Sequence, residues 1–213
     1  MRKTPTPDSG PSRLDWLALS CCLVWSAGAA PTHVLGIWAG IGGAALGLGI
    51  AALVFARPVI APLLRPSVPL ITWGVAATVV MVAATYGLYP IARLVWPDLA
   101  RAVVGLYAIF RAAGRLWATW VLLPLIIVAE ELIWRGVVLE ALGRRVSPAA
   151  AVLLGAGVYS AAHAPVGSPL LDALTIVCGL FWSALRVRSN SLVPGLLSHL
   201  VWDLLVFILR PLA

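Results

Sequence analysis

Apolar residues run along this chain in long stretches, broken by short turns that carry Pro, Gly or Arg. No two-residue alternation recurs along these stretches, so strands and a transmembrane barrel are excluded. A helix crossing the hydrocarbon of a bilayer needs about 20 apolar residues at a rise of 1.5 Å each. In lipid it also satisfies every backbone polar group within one segment. The stretches predict helices over Leu14–Ala30, Val34–Ala56, Val68–Leu88, Trp117–Leu142, Pro148–His163, Pro169–Leu185 and Leu192–Leu209. Tyr89–Gly114 is different, because Arg93, Arg101 and Arg111 recur among its Leu, Val, Ile and Phe, and Arg115 follows. Arginine at that density is costly in a lipid-facing span, so an interfacial amphipathic helix is expected there. A re-entrant segment or an eighth, tilted span is the alternative. Trp96-Pro97-Asp98 marks a turn or a helix start. The pattern predicts an all-α, polytopic transmembrane helical bundle of about seven spans, six to eight, plus an interfacial helix. The small residues of Gly36–Gly49 suit close helix packing.

Composition agrees with the pattern. Of 213 residues 62% are hydrophobic and 11% charged, with a mean hydropathy of +1.00. A soluble domain carries roughly 25% charged residues. Met1–Ser12 is polar and Pro-rich and reads as a disordered tail, so the division is 1–13 tail and 14–213 one membrane domain. Arg2, Lys3 and Arg13, followed by an apolar run and Ala27-Gly28-Ala29, resemble a signal peptide. A retained first span is preferred, because further spans follow it. Lys and Arg precede the first predicted span and follow the second (Arg57, Arg65), fourth (Arg144, Arg145) and sixth (Arg186, Arg188), whereas the turns at Pro31–His33 and Ala164–Ser168 have none. Under the positive-inside rule this places the N-terminus in the cytoplasm. The net charge of +7 is then mostly topological, and no basic face calls for nucleic acid. The Arg93–Arg115 region, placed outside, is the misfit. Cys21, Cys22 and Cys178 make neither a metal spacing nor a disulfide framework. One Lys against many Arg, with abundant Ala and Gly, hints at a GC-rich bacterial genome and hence an inner-membrane location.

The chemistry lies in polar residues that an apolar span should not contain. The fourth predicted span carries Glu130, Glu131 and Arg135, the fifth ends in Tyr159 and His163, and the seventh carries His199 and Asp203. An ionised Asp, Lys or Arg at mid-membrane costs about 2.5–3.5 kcal/mol on insertion scales. Such residues must therefore face one another or a water-filled cavity. Glu131 and Arg135 are four residues apart and share a helix face, which ties one carboxylate to a cation. Glu130 is rotated about 100° away and is free for chemistry. His199 with Asp203, and Tyr159 with His163, share faces by the same spacing. Glu140 and Asp172, near span ends, read as solvated.

A buried carboxylate tuned by neighbouring imidazoles is suited to general-base work. A water between Glu130 and His163 is then positioned to attack a carbonyl, with His199 and Asp203 at the developing oxyanion. No G-x-S-x-G elbow, H-E-x-x-H or adjacent Cys supplies a different nucleophile or site. Glu130-Glu131-x-x-x-Arg135, Tyr159-x-x-x-His163 and His199-x-x-x-Asp203, in that order, resemble the three-motif pattern of the CPBP family. These are CAAX-protease-like and bacteriocin-processing or immunity intramembrane proteins related to the Rce1-type prenyl-protein endopeptidase. The resemblance covers roughly Trp117–Leu209. It implies a glutamate-dependent intramembrane endopeptidase with Glu130 and His163 activating water and His199 and residue 203 stabilising the oxyanion. Glu131 and Arg135 would support the site. Two positions depart from the pattern: Tyr159 stands where Phe is usual, and Asp203 where Asn is frequent. An ionised Asp does not donate as an amide does, so Asp203 either orients His199 or stays protonated.

Three alternatives stay open. No cofactor is required by this reading; two His and one Glu also form a known catalytic zinc set, so zinc held by Glu130, His163 and His199 is the alternative. A non-enzymatic bacteriocin-immunity protein would bind a peptide at the same cluster without cutting it. A proton-coupled carrier would use the groups as a relay, although no inverted halves are visible. The expected partners are membrane lipid and a membrane-anchored protein or peptide substrate.

Overall fold

The computed structural model describes residues 10–111 and 116–212, and every regular element among them is helical. The expectations for Arg2, Lys3, most of the polar tail and Arg115 fall outside the described residues, as does the side chain of Trp117.

The first helix, α1 (Arg13–Ala29), begins in a capping box: Ser12 accepts from the Asp15 backbone N–H, and the Asp15 carboxylate accepts from the Ser12 backbone N–H. Ser12 and Arg13, assigned to the tail from sequence, thus belong to the start of this helix. The second predicted helix is split. A short α2 (Thr32–Leu35) stops at Gly36, whose φ of 78° lies in the left-handed region that glycine tolerates, and α3 (Gly40–Phe55) follows. After α3 the chain bends by 97° into α4 (Arg57–Leu63), with Pro58 in its first turn, an element the hydrophobic pattern did not signal.

Next, α5 (Val68–Val95) runs further than expected and takes in Tyr89–Val95. Pro90 is accommodated inside it. The break comes at Trp96, which precedes Pro97 and leaves the helical region with φ −123° and ψ 88°. The amphipathic helix is therefore shorter than Tyr89–Gly114: α6 (Leu99–Arg111) buries Leu99, Val103, Leu106 and Tyr107 and exposes Arg101 and Val104.

The helix α7 (Leu116–Glu130) continues without interruption through a π-helical segment, Glu131–Val138, into α8 (Leu139–Gly143). Ser147 caps α9 (Pro148–His163), which runs out through one 3-10 turn at Ala164–Val166. Ser168 caps α10 (Pro169–Ser189), and α11 (Val193–Asp203) passes into a second π-helical segment, Leu204–Leu209. Among the described residues three helical stretches are long and apolar enough to cross a membrane: Val68–Val95, Pro148–Val166 and Pro169–Ser189. The bent pair of α3 and α4 makes a fourth if taken as one broken span.

Helix α9 packs along α10, α11 along α5, and α1 along α3, which in turn lies against α7. Gly28 lets α1 and α3 approach closely, because a Cβ there would stand 2.7 Å from Ala44 Cβ and 2.9 Å from the Gly40 carbonyl. Polar contacts gather the arginine-bearing turns at one end. Arg145 donates to Asp15 at 2.7 Å, Arg186 to Glu140 at 3.3 Å, and the Leu192 N–H to the Leu63 carbonyl at 2.9 Å. Glu140, read as solvated, is instead held by Arg186 and Arg144. The residues around α2, the C-terminal part of α6 and the turn after α9 line a common cleft elsewhere.

Candidate active site

All eight residues of the π-helical segment are buried. Such segments recur at functional sites, where the wider turn re-aims side chains. Glu131 is 0% exposed and Arg135 1%. Arg135 Nη1 lies 3.4 Å from Glu131 Oε1, and its guanidinium stands 4.6 Å from the ring centre of Tyr159 and 5.4 Å from that of Trp182. A buried guanidinium is thus compensated by one carboxylate and two aromatic faces.

That carboxylate does more than balance the cation. Glu131 Oε1 accepts from His199 Nδ1 at 3.0 Å. A carboxylate only accepts, so Nδ1 carries the hydrogen and Nε2 is turned toward the other acidic groups. His199 Nε2 lies 3.7 Å from Glu130 Oε2 and 3.7 Å from Asp203 Oδ2. The imidazole stacks on Trp182 with centroids 3.6 Å apart and planes 21° apart. Gly195, on α11, makes room for this arrangement: a Cβ there would stand 2.8 Å from Glu131 Oε2.

Glu130 occupies the junction between α7 and the π-helical segment. Its Oε2 accepts from the Tyr159 hydroxyl at 2.7 Å, and its Oε1 lies 3.7 Å from His163 Nε2. The Tyr159 backbone carbonyl accepts from His163 Nδ1 at 2.8 Å. That bond puts the His163 hydrogen on Nδ1 and leaves Nε2 as the atom facing Glu130. Atoms 3.7 Å apart have room to share one water at hydrogen-bond distance from both. Glu130, His163, His199 and Asp203 all line one cavity of about 80 Å3, several times what a single water needs. Its remaining walls are largely apolar, with Ile37, Trp38, Phe110, Leu171 and Phe207 among them.

Residues 111–205, just under half of the chain, match a family model described as type II CAAX prenyl endopeptidase Rce1-like. This segment is similar to that family. The family is one of proteases, enzymes that hydrolyse peptide bonds. No curated protein and no solved structure matches the chain. All of the site side chains described above lie inside the Rce1-like segment.

The Rce1-like segment brings together Glu130, Glu131, Arg135, His163, His199 and Asp203. Arg135 and Glu131 stand one step back from the cavity, and Glu131 meets it through its hydrogen bond to His199. Asp203 Oδ1 is buried without a hydrogen-bond partner, and its Oδ2 is the closer oxygen to His199. Three contributors were not in the sequence-derived set. The Tyr159 hydroxyl was signalled only by its four-residue spacing from His163. Trp182 lies on α10, which carries no motif, and Gly195 reads as an ordinary helix-packing glycine. Among the described residues no group of three or more His, Cys, Asp or Glu side chains closes to metal-holding distance.

Proposed function

We propose that this chain is a glutamate-dependent intramembrane endopeptidase embedded as a multi-pass protein of about seven spans in a cell membrane. Its substrate is a membrane-attached protein or peptide. The observation that carries the reading is the placement of the Glu130 carboxylate in the wall of a cavity, with one oxygen 3.7 Å from His163 Nε2 and the other 3.7 Å from His199 Nε2. Glu130 and His163 take a proton from a shared water, whose oxygen attacks the scissile carbonyl carbon. Negative charge then develops on the carbonyl oxygen, and His199 donates to it from Nε2. Glu131 fixes the His199 ring through Nδ1, and the carboxylates of Glu131, Glu130 and Asp203 compensate an imidazolium electrostatically. As the tetrahedral intermediate collapses the C–N bond breaks, and the proton held by Glu130 and His163 passes to the leaving amine. In this reading the apolar cavity walls receive the substrate's apolar residues and exclude bulk water.

The test uses purified protein in proteoliposomes with internally quenched peptides, one farnesylated at a CAAX-type C-terminus and one acylated. Glu130→Gln, His163→Ala and His199→Ala should each lower kcat by about a hundredfold or more, within the usual range for losing an acid–base group or oxyanion donor. Chelator treatment of the wild type should leave kcat unchanged, whereas loss on chelation and return with added zinc would redirect the chemistry to a metal. Full processing by all three variants would end the hydrolytic assignment.

A further inference from the structure

Tyr159 touches three members of the site at once. Its hydroxyl donates to Glu130 Oε2 at 2.7 Å, its backbone carbonyl accepts from His163 Nδ1 at 2.8 Å, and its ring faces the Arg135 guanidinium at 4.6 Å. The side chain is buried and the ring is held on its flanks. Trp134 meets it edge-on at 5.3 Å, and a Cβ on Gly179 would stand 3.2 Å from Tyr159 Cδ1. The hydroxyl is therefore delivered to one place by a ring with little freedom to move.

Glu130 needs such a constraint. A glutamate side chain has three rotatable bonds, and this one faces two imidazoles, His163 and His199, at the same separation of 3.7 Å. Without a fixed donor the carboxylate is free to turn toward either imidazole. We infer that Tyr159 is a positioning residue for the hydrolysis: its hydroxyl clamps Oε2 of Glu130, so that Oε1 is the oxygen presented to His163 and the attacking water. The inference rests on the reading of Glu130 as general base. One residue thereby orients both partners of the water, Glu130 through its hydroxyl and His163 through its carbonyl.

The experiment compares wild type, Tyr159→Phe and Glu130→Gln in the proteoliposome peptide assay. Phenylalanine keeps the ring over Arg135 and the backbone carbonyl, and removes only the hydroxyl. Tyr159→Phe should lower kcat by about 10- to 100-fold, since small misplacements of reacting groups have effects of that size. KM should stay within about twofold, because the loss falls on the transition state rather than on binding. The unfolding temperature should stay close to that of the wild type, which a purely structural role would not combine with a fall in kcat. A Tyr159→Phe kcat within about threefold of wild type, or above it, overturns the positioning role while Glu130→Gln remains inactive. A fully active Glu130→Gln overturns the catalytic reading instead, so the two failures are told apart. Should Tyr159→Phe not fold, difluorotyrosine at position 159 keeps the shape and alters the donor strength of the hydroxyl. A kcat changed by more than about threefold then supports the clamp, and an unchanged one overturns it.

Discussion

At the residue scale the site is a chain of obligations imposed by burial. Arg135 is sealed from solvent and needs an anion, Glu131 supplies it, and the same carboxylate oxygen fixes His199. Replacing Arg135 by Met leaves Glu131 buried without its cation. Breaking a buried pair from one side typically costs about 3–5 kcal/mol. SDS unfolding of the detergent-solubilised protein should register a loss of that order, and a loss under about 1 kcal/mol would mean that the pair is not what holds the segment. The Glu131–Arg135 pairing and the grouping of Glu130, His163, His199 and Asp203 were legible in the sequence, because ionisable groups in apolar helices must find one another. The Tyr159 hydroxyl was less legible, because a tyrosine among apolar residues ordinarily reads as packing. Trp182 left no trace, because stacking on His199 depends on how α10 lies against α11 and not on any spacing within α10.

At the scale of elements, the helices were visible because apolar runs bounded by Pro and Ser carry their own caps, as in α9 and α10. What the pattern missed were changes of helical path: the Gly36 break, the 97° bend into α4, and the two π-helical segments that begin at Glu131 and just after Asp203. A hydrophobic profile has no term for a wider turn, since π-helical and α-helical residues are equally apolar. The α1–α3 contact offers a test of how rigidly the surroundings hold the site. Trp25 of α1 stands 5.1 Å from the His163 ring and 5.4 Å from Trp134. A valine at Gly28 must push α3 away, because its Cβ would already stand 2.7 Å from Ala44 Cβ. Gly28→Val should destabilise the protein by about 1–3 kcal/mol, the usual cost of overpacking, and lower kcat through the displaced Trp25. An unfolding temperature and kcat equal to wild type would show that the two helices part freely.

For the whole molecule, the arginine-bearing turns are joined at one end by the Asp15–Arg145, Glu140–Arg186 and Leu63–Leu192 contacts. The charge asymmetry read from the sequence predicts that this end faces the cytoplasm. In a background lacking Cys21, Cys22 and Cys178, two single cysteines test it: Val146→Cys at 36% exposure near the arginine cluster, and Val34→Cys at 75% exposure in α2. A membrane-impermeant maleimide added to intact cells should label position 34 and reach position 146 only after permeabilisation. The reverse pattern would invert the topology. The His199–Glu131 hydrogen bond, finally, spans 68 positions of chain. In the proposed reaction Glu130 and His163 are translated before the residue that completes their chemistry. Under the proposed mechanism a newly synthesised copy is silent toward neighbouring membrane peptides until α11 has docked, a delay set by chain order alone.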